Sequence, residues 1–214
     1  MKIAITNGRV INPKTQQDEI ADVAIENNKI IAVGKTPEGF VADKSIDASN
    51  QWVLPGLIDL CARLREPGFE YKATIESETQ AAASAGITTL CCPPDTMPVI
   101  DNPAILEMIA YRAQKSNKAR VVSIGALTAG LEGQHLSEML ALKNAGAVGV
   151  GNALKAVKDT RVMRRAMEYA SSHNLTVFLY AEDPWLKAGG CAHEGAMSTR
   201  MGLAGIPEIA ETIA

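Results

Sequence analysis

The sequence predicts an α/β chain in two parts: a small all-β subdomain over residues 1–55, then about five strand–helix units over residues 56–214. Those units form the first part of an eight-unit, TIM-type (β/α)8 barrel. Three observations carry this. The first 55 residues are short apolar runs punctuated by Asn, Gly and Pro. From Gly56 onward, continuous apolar strands alternate with amphipathic helices, the pattern of a parallel sheet covered on its outer side. A strand bounded by Pro-Gly turns opens this second part, and polar residues follow it where barrel enzymes keep their chemistry.

In chain order, Ile3–Ile5, Arg9–Ile11, Val23–Ile25 and Lys29–Val33 are strand candidates, separated by Asn7-Gly8, Asn12-Pro13 and Glu26-Asn27-Asn28. The last two runs predict a hairpin. Ser45–Ala48 and Trp52–Leu54 continue the pattern. Five strands follow at Leu57–Leu60, Thr88–Cys92, Arg120–Ile124, Ala147–Val150 and Thr176–Leu179, and Leu57–Leu60 reads as buried. Helices fall at about 72–85, 102–117, 134–144 and 160–173. The second has Asp101 or Asn102 as cap and Pro103 in its first turn. The third runs from His135 to Lys143 and stops at Asn144-Ala145-Gly146. Residues Pro207–Ala214 read as an uncapped helix. Five units leave a parallel strand edge open, so the expectation is a piece of a longer chain, in preference to a half-length protein completed by a partner.

Charge and composition exclude several classes. A net charge of −3 with no dense Lys/Arg face argues against nucleic-acid binding. No apolar run approaches a membrane span, and Met1-Lys2-Ile3-Ala4-Ile5 leads into a strand pattern instead of a leader, so the expected location is cytoplasmic. Cys61, Cys91, Cys92 and Cys191 lack the paired spacing of a thiolate metal site and read as reduced, partly buried thiols. Cys91 and Cys92, adjacent on one strand, point to opposite faces.

The stretch from Pro55 to Gly68 resembles the dihydroorotases of the amidohydrolase superfamily. Their signature there is PGxxDxHxHxREPG, with two zinc-binding histidines on one strand. Pro55, Gly56, Asp59, Arg65, Glu66, Pro67 and Gly68 keep the frame, and Cys61 and Arg63 stand at the histidine positions. The resemblance implies a small β-sandwich beside the barrel and two further metal ligands in this half. One is the aspartate of an A-F-S-D-D-G stretch, read here as Gly149-Val150-Gly151-Asn152-Ala153-Leu154. The other is the histidine of V-H-C-E-D-P, read here as Leu179-Tyr180-Ala181-Glu182-Asp183-Pro184. The degenerate ligand positions are therefore Cys61, Arg63, Asn152, Ala153 and Tyr180. A cation at Arg63 repels a metal, and a neutral phenol is a poor zinc ligand at pH 7. Lys155, near the place where some relatives use a carboxylated lysine, reads as solvated.

The substrate carboxylate in the family is held by the Arg of H-x-R and the Asn of M-P-N-T. Arg65 is kept; Asp95, in Pro93-Pro94-Asp95-Thr96, replaces the Asn. Both are vestigial substrate-binding positions, with Arg65 expected to pair with Asp95 or Glu66. His135 and His173 read as surface residues at helix ends, and His193 as part of a packed loop. Three blocks match the family without bearing ligands: Arg65–Gly68, Ile124–Thr128 and Gly202–Pro207.

The resemblance thus implies a bacterial pseudoenzyme without bound zinc or other cofactor. Such chains accompany the catalytic chain of aspartate transcarbamoylase in pyrimidine biosynthesis, in an assembly of six plus six. The alternatives are an active zinc amidohydrolase, of dihydroorotase or hydantoinase type, with an altered site using Cys61, and a regulatory pocket binding a metabolite through Arg65.

Overall fold

A computed structural model describes residues 1–213, which divide into two compact units, Met1–Gly56 and the remainder from Leu57. In the first unit the five strands are β1 (Lys2–Asn12), β2 (Gln17–Glu26), β3 (Lys29–Gly34), β4 (Lys44–Asp47) and β5 (Trp52–Val53). They form one mixed sheet in the order β3-β2-β1-β4, with β5 parallel to the far end of β1. Asn7-Gly8 is not a turn between two strands. It lies inside β1, where the register with β2 shifts between Ile5 and Gly8, a bulge that bends the strand without ending it. Gly8 is required there because a Cβ would collide with Val53. The β2–β3 hairpin turns on Asn27 and Asn28, both at positive φ, a conformation Asn tolerates better than most residues.

The second unit is a five-stranded parallel sheet in the order β10-β9-β8-β7-β6. Its strands are β6 (Leu57–Asp59), β7 (Ile87–Cys92), β8 (Arg120–Ala126), β9 (Gly149–Gly151) and β10 (Thr176–Phe178). The helices between them are α1 (Ile75–Ser84), α2 (Pro103–Ser116), α3 (Met139–Asn144) and α4 (Thr160–Ser172). Neighbours in sequence are neighbours in the sheet, each pair parallel, which is the order of consecutive units in a (β/α) barrel. Two apolar clusters weld helices to the sheet. Leu90, Cys92, Ile75, Leu106, Ile109 and Leu142 pack under α1–α3, while Val150, Met139, Ala166 and Ala170 pack under α4.

Local chemistry sets the helix starts. Thr74 and Ser77 exchange capping-box hydrogen bonds at α1. Asn102 accepts from Ala104 N at 2.9 Å at α2, and Asp159 accepts from Arg161 N at 2.8 Å at α4. Asp101 is not the α2 cap; its carboxylate accepts from Gly130 N at 2.9 Å across the sheet end.

Two further expectations fail here. The third helix begins four residues late, at Met139, because Leu136 forms a bridge with Thr128 and the His135 carbonyl accepts from Ala129 N. Those pairings hold residues 135–137 extended. The first barrel strand is not buried: Leu57, Ile58 and Leu60 are 55%, 62% and 65% exposed. As the sheet edge, β6 has β7 as its one strand partner, so its apolar side chains lack the second neighbour that a closed barrel supplies.

Beyond β10, the chain forms α5 (Pro184–Lys187), β11 (Ala192–His193), α6 (Ala196–Met201), β12 (Gly205–Ile206) and α7 (Ile209–Thr212). β11 pairs with β12, so the His193 loop and the Gly202–Pro207 block support each other. The predicted terminal helix is reduced to the four residues of α7, and Ala214 lies outside the described residues.

Candidate functional site

The candidate site lies past the C-terminal ends of the parallel strands. Four of the five positions that the sequence reads as degenerate ligands, Cys61, Arg63, Ala153 and Tyr180, line one cavity of about 250 Å³, together with Leu60, Leu154 and Leu179 among others. The strand order thus brings together residues from three widely separated stretches. Asn152 does not join them. It is 2% exposed, its Oδ1 accepts from Thr128 Oγ1 at 2.7 Å, and its Nδ2 donates to the Lys155 carbonyl at 3.0 Å. Thr128 Oγ1 in turn accepts from Gly133 N at 3.0 Å. Asn152 therefore ties the loop after β8 to the loop after β9, which gives the Ile124–Thr128 block a structural task. Lys155 is exposed.

The decisive contact is between Arg63 and Asp95, whose Nε and Oδ2 lie 2.8 Å apart. Bonding to that carboxylate raises the Arg63 pKa above the ordinary arginine value against the opposing effect of burial. This corrects the expected pairing. Arg65 is not the partner of Asp95 or Glu66; it is exposed, at positive φ. Glu66 reaches the other way, pairing with Arg112 of α2 and accepting from Ile75 N at the start of α1 at 2.7 Å. The Arg-Glu-Pro-Gly block is thus a fastening of the loop to two helices. Gly68, at φ +99°, sits where any Cβ would strike the Met97 backbone.

A second cavity, of about 230 Å³, is lined by Arg63, Arg65, Phe69, Lys72, Asp95 and Thr96 among others. Lys72 went unnoticed in the sequence, because nothing in its immediate context distinguishes it from a solvated lysine. It stands over the Phe69 and Tyr71 rings, 5.8 and 5.4 Å from their centroids.

These residues do not fit a zinc site. Arg63 brings a cation already engaged by carboxylate, Ala153 has no donor atom, and the Asn152 amide is committed within the fold. The Tyr180 hydroxyl donates to Glu182 at 3.3 Å, and Glu182 also binds Lys187 at 2.6 Å. Among the described residues no three His, Cys, Asp or Glu side chains converge as a metal site would need. His135 and His193 are exposed, and His173 packs edge-on against Tyr169 with centroids 5.0 Å apart. Cys91 and Cys92 are fully buried, beyond the partial burial expected, and burial pushes their thiols up to about 11 and about 12.

Residues 50–214 match the family model described as dihydro-orotase-like. The chain belongs to the dihydroorotase-like family. Over its whole length it is 48% identical to the "Dihydroorotase-like protein" of Pseudomonas putida and to that of Pseudomonas aeruginosa. It is 45% identical to the "Dihydroorotase" of Syntrophotalea carbinolica. The chain spans about half the length of these curated relatives: 50%, 51% and 50%. Its fold is that of the L-hydantoinase from Arthrobacter aurescens, with a TM-score of 0.79 at 19% identity over 99% of this chain and 48% of that one. The partial (β/α) barrel and the β sheet before it both find their match in that fold. No helix among the described residues is long and apolar enough to cross a membrane.

Proposed function

We propose that this dihydroorotase-like chain belongs to a non-catalytic subunit that scaffolds the catalytic chain of aspartate transcarbamoylase in the bacterial cytoplasm, six of each. The observation that carries the non-catalytic part is the Arg63–Asp95 ion pair. It joins a residue at a metal-ligand position to one at a substrate position, so that each neutralises the other. The metal histidine and the substrate asparagine are both absent, and what replaces them is a mutually satisfied pair. No zinc and no other cofactor is expected. Arg65, although retained, has beside its cavity an Asp95 carboxylate already bonded to Arg63, where the family's asparagine would offer an amide to the substrate carboxylate. The relatives at 48% identity, named dihydroorotase-like and not dihydroorotase, agree with this reading.

The test is size-exclusion chromatography with light scattering on the whole protein mixed with the same organism's aspartate transcarbamoylase. A stable joint peak, with transcarbamoylase activity that depends on it, is expected. Separate elution with unchanged activity refutes the scaffold.

The relatives named dihydroorotase, 42–45% identical over nearly the whole chain, favour a second reading, an active zinc amidohydrolase with an altered site. Stoichiometric zinc, and turnover abolished by Cys61→Ser, would establish it. The cavity beside Arg65 and Lys72 favours a third, a metabolite-binding pseudoenzyme, which thermal stabilisation by a small anion would reveal.

A further inference from the structure

Outside the ion pair, the site contains a second feature that the proposed function does not use: two thiols, Cys61 just past β6 and Cys91 on the neighbouring strand β7. The backbone ladder between β6 and β7 begins with Leu57 N donating to Gly86 O, one residue before its partner Ile87. After that pair the register shifts, to Ile58↔Thr89 and Asp59↔Leu90; past the end of β6, Ala62 N donates to Cys91 O at 2.9 Å, which lays the Cys61–Ala62 peptide against Cys91. Neighbouring strands lie about 4.8 Å apart, inside the range of about 4.4–6.8 Å between Cα atoms that a disulfide spans. Leu90 and Cys92 both belong to the cluster under the helices. By the two-residue alternation of a strand, Cys91 therefore points to the opposite, inner face, the side of the cavity that Cys61 lines.

We propose that Cys61 and Cys91 form a redox modification site, closing reversibly to a disulfide on exposure to a peroxide. Their environments divide the labour. Cys61 is exposed and meets the oxidant, on the cavity that Arg63 also lines. Cys91 is 2% exposed and burial raises its pKa, so it is shielded from the oxidant and serves as the resolving partner. In the first step Cys61 Sγ attacks one peroxide oxygen, the O–O bond breaks, and a sulfenic acid and one water result. In the second, Cys91 Sγ attacks Cys61 Sγ, the S–O bond breaks, and the hydroxide leaves as water with the Cys91 proton. Two thiols and one hydrogen peroxide yield one disulfide and two waters. The product ties the segment after β6 to β7.

The experiment treats the chain with hydrogen peroxide, blocks remaining thiols by alkylation and digests with trypsin without reduction. Cleavage after Lys44, Arg63, Lys72 and Arg112 puts Cys61 in one peptide and Cys91 with Cys92 in another. The expected product is those two peptides joined within a monomer and released by dithiothreitol. Cys61→Ser and Cys91→Ser abolish the link, and Cys92→Ser and Cys191→Ser retain it. Cys61→Ser, at an exposed position, keeps the test valid if Cys91→Ser fails to fold. Any of three results overturns the proposal: Cys61 running on to sulfinic acid without a link, a link only between molecules or to Cys191, or a link that persists in Cys91→Ser.

Discussion

Breaking the Arg63–Asp95 pair offers the sharpest check on the site as described. Asp95→Asn removes the carboxylate and leaves a partly buried guanidinium without its partner; Arg63→Gln does the reverse; the double variant removes both charges. The two side chains are 30% and 29% exposed, between the fully solvated pairs that contribute about 0.2–1 kcal/mol and the shielded charge-assisted bonds that contribute about 1.5–3 kcal/mol. A coupling energy of about 1–2 kcal/mol follows, equivalent to roughly 2–8 °C in Tm for a chain of this size. Urea unfolding of all four proteins at pH 7, followed by circular dichroism, gives that coupling as a double-mutant cycle. It should fall less on raising salt than that of the exposed Arg164–Glu168 pair. A cycle that closes additively, within about 0.3 kcal/mol, refutes the idea that these two replacements compensate each other.

The other expected outcomes follow from neighbouring contacts. Asn152→Ala should destabilise by about 1–3 kcal/mol in the same urea assay, because it leaves the buried Thr128 hydroxyl and the Lys155 carbonyl without their partners; a loss under 0.5 kcal/mol speaks against the bridge. Glu66→Gln should cost about 1–2 kcal/mol and raise proteolysis in the loop before α1, since it weakens both the Arg112 pair and the acceptor for Ile75 N. Thiol titration of the reduced native chain should show Cys61 and Cys191 reacting first, with Cys91 and Cys92 reacting only after unfolding. Acidification should remove stability through Asp47, whose pKa is lowered by hydrogen bonds from Ser49 and Asn7. A lowered folded pKa means that its contribution is complete above the unfolded value of about 3.9 and is lost as pH falls through the folded one. Asp47→Asn should flatten that part of the stability–pH curve.

Much of the fold is legible in the sequence because its signals are local. Thr74, Asn102 and Asp159 cap helices through atoms two or three residues away, and the apolar runs of β7 to β10 need no distant partner to be seen. What fails is long-range. The His135–Ser137 segment has a helical composition, yet a bridge to Thr128 holds it extended. Leu57–Leu60 has the composition of a buried strand, and exposure there depends on how many strands lie beside it, which no local window encodes.

The site shows the same division at the level of chemistry. Each replacement, taken singly, reads as a loss: Arg63 repels a metal, Asp95 repels an anion. Their compensation spans 32 residues and becomes visible only when β6 and β7 lie side by side in the sheet. That changes what the replacements mean. A cation at one position and an anion at another, each partly buried and without a partner, would each be costly. A pair bonded at 2.8 Å removes both costs together. It holds the loop after β6 against the loop after β7, a contact between side chains of this chain alone.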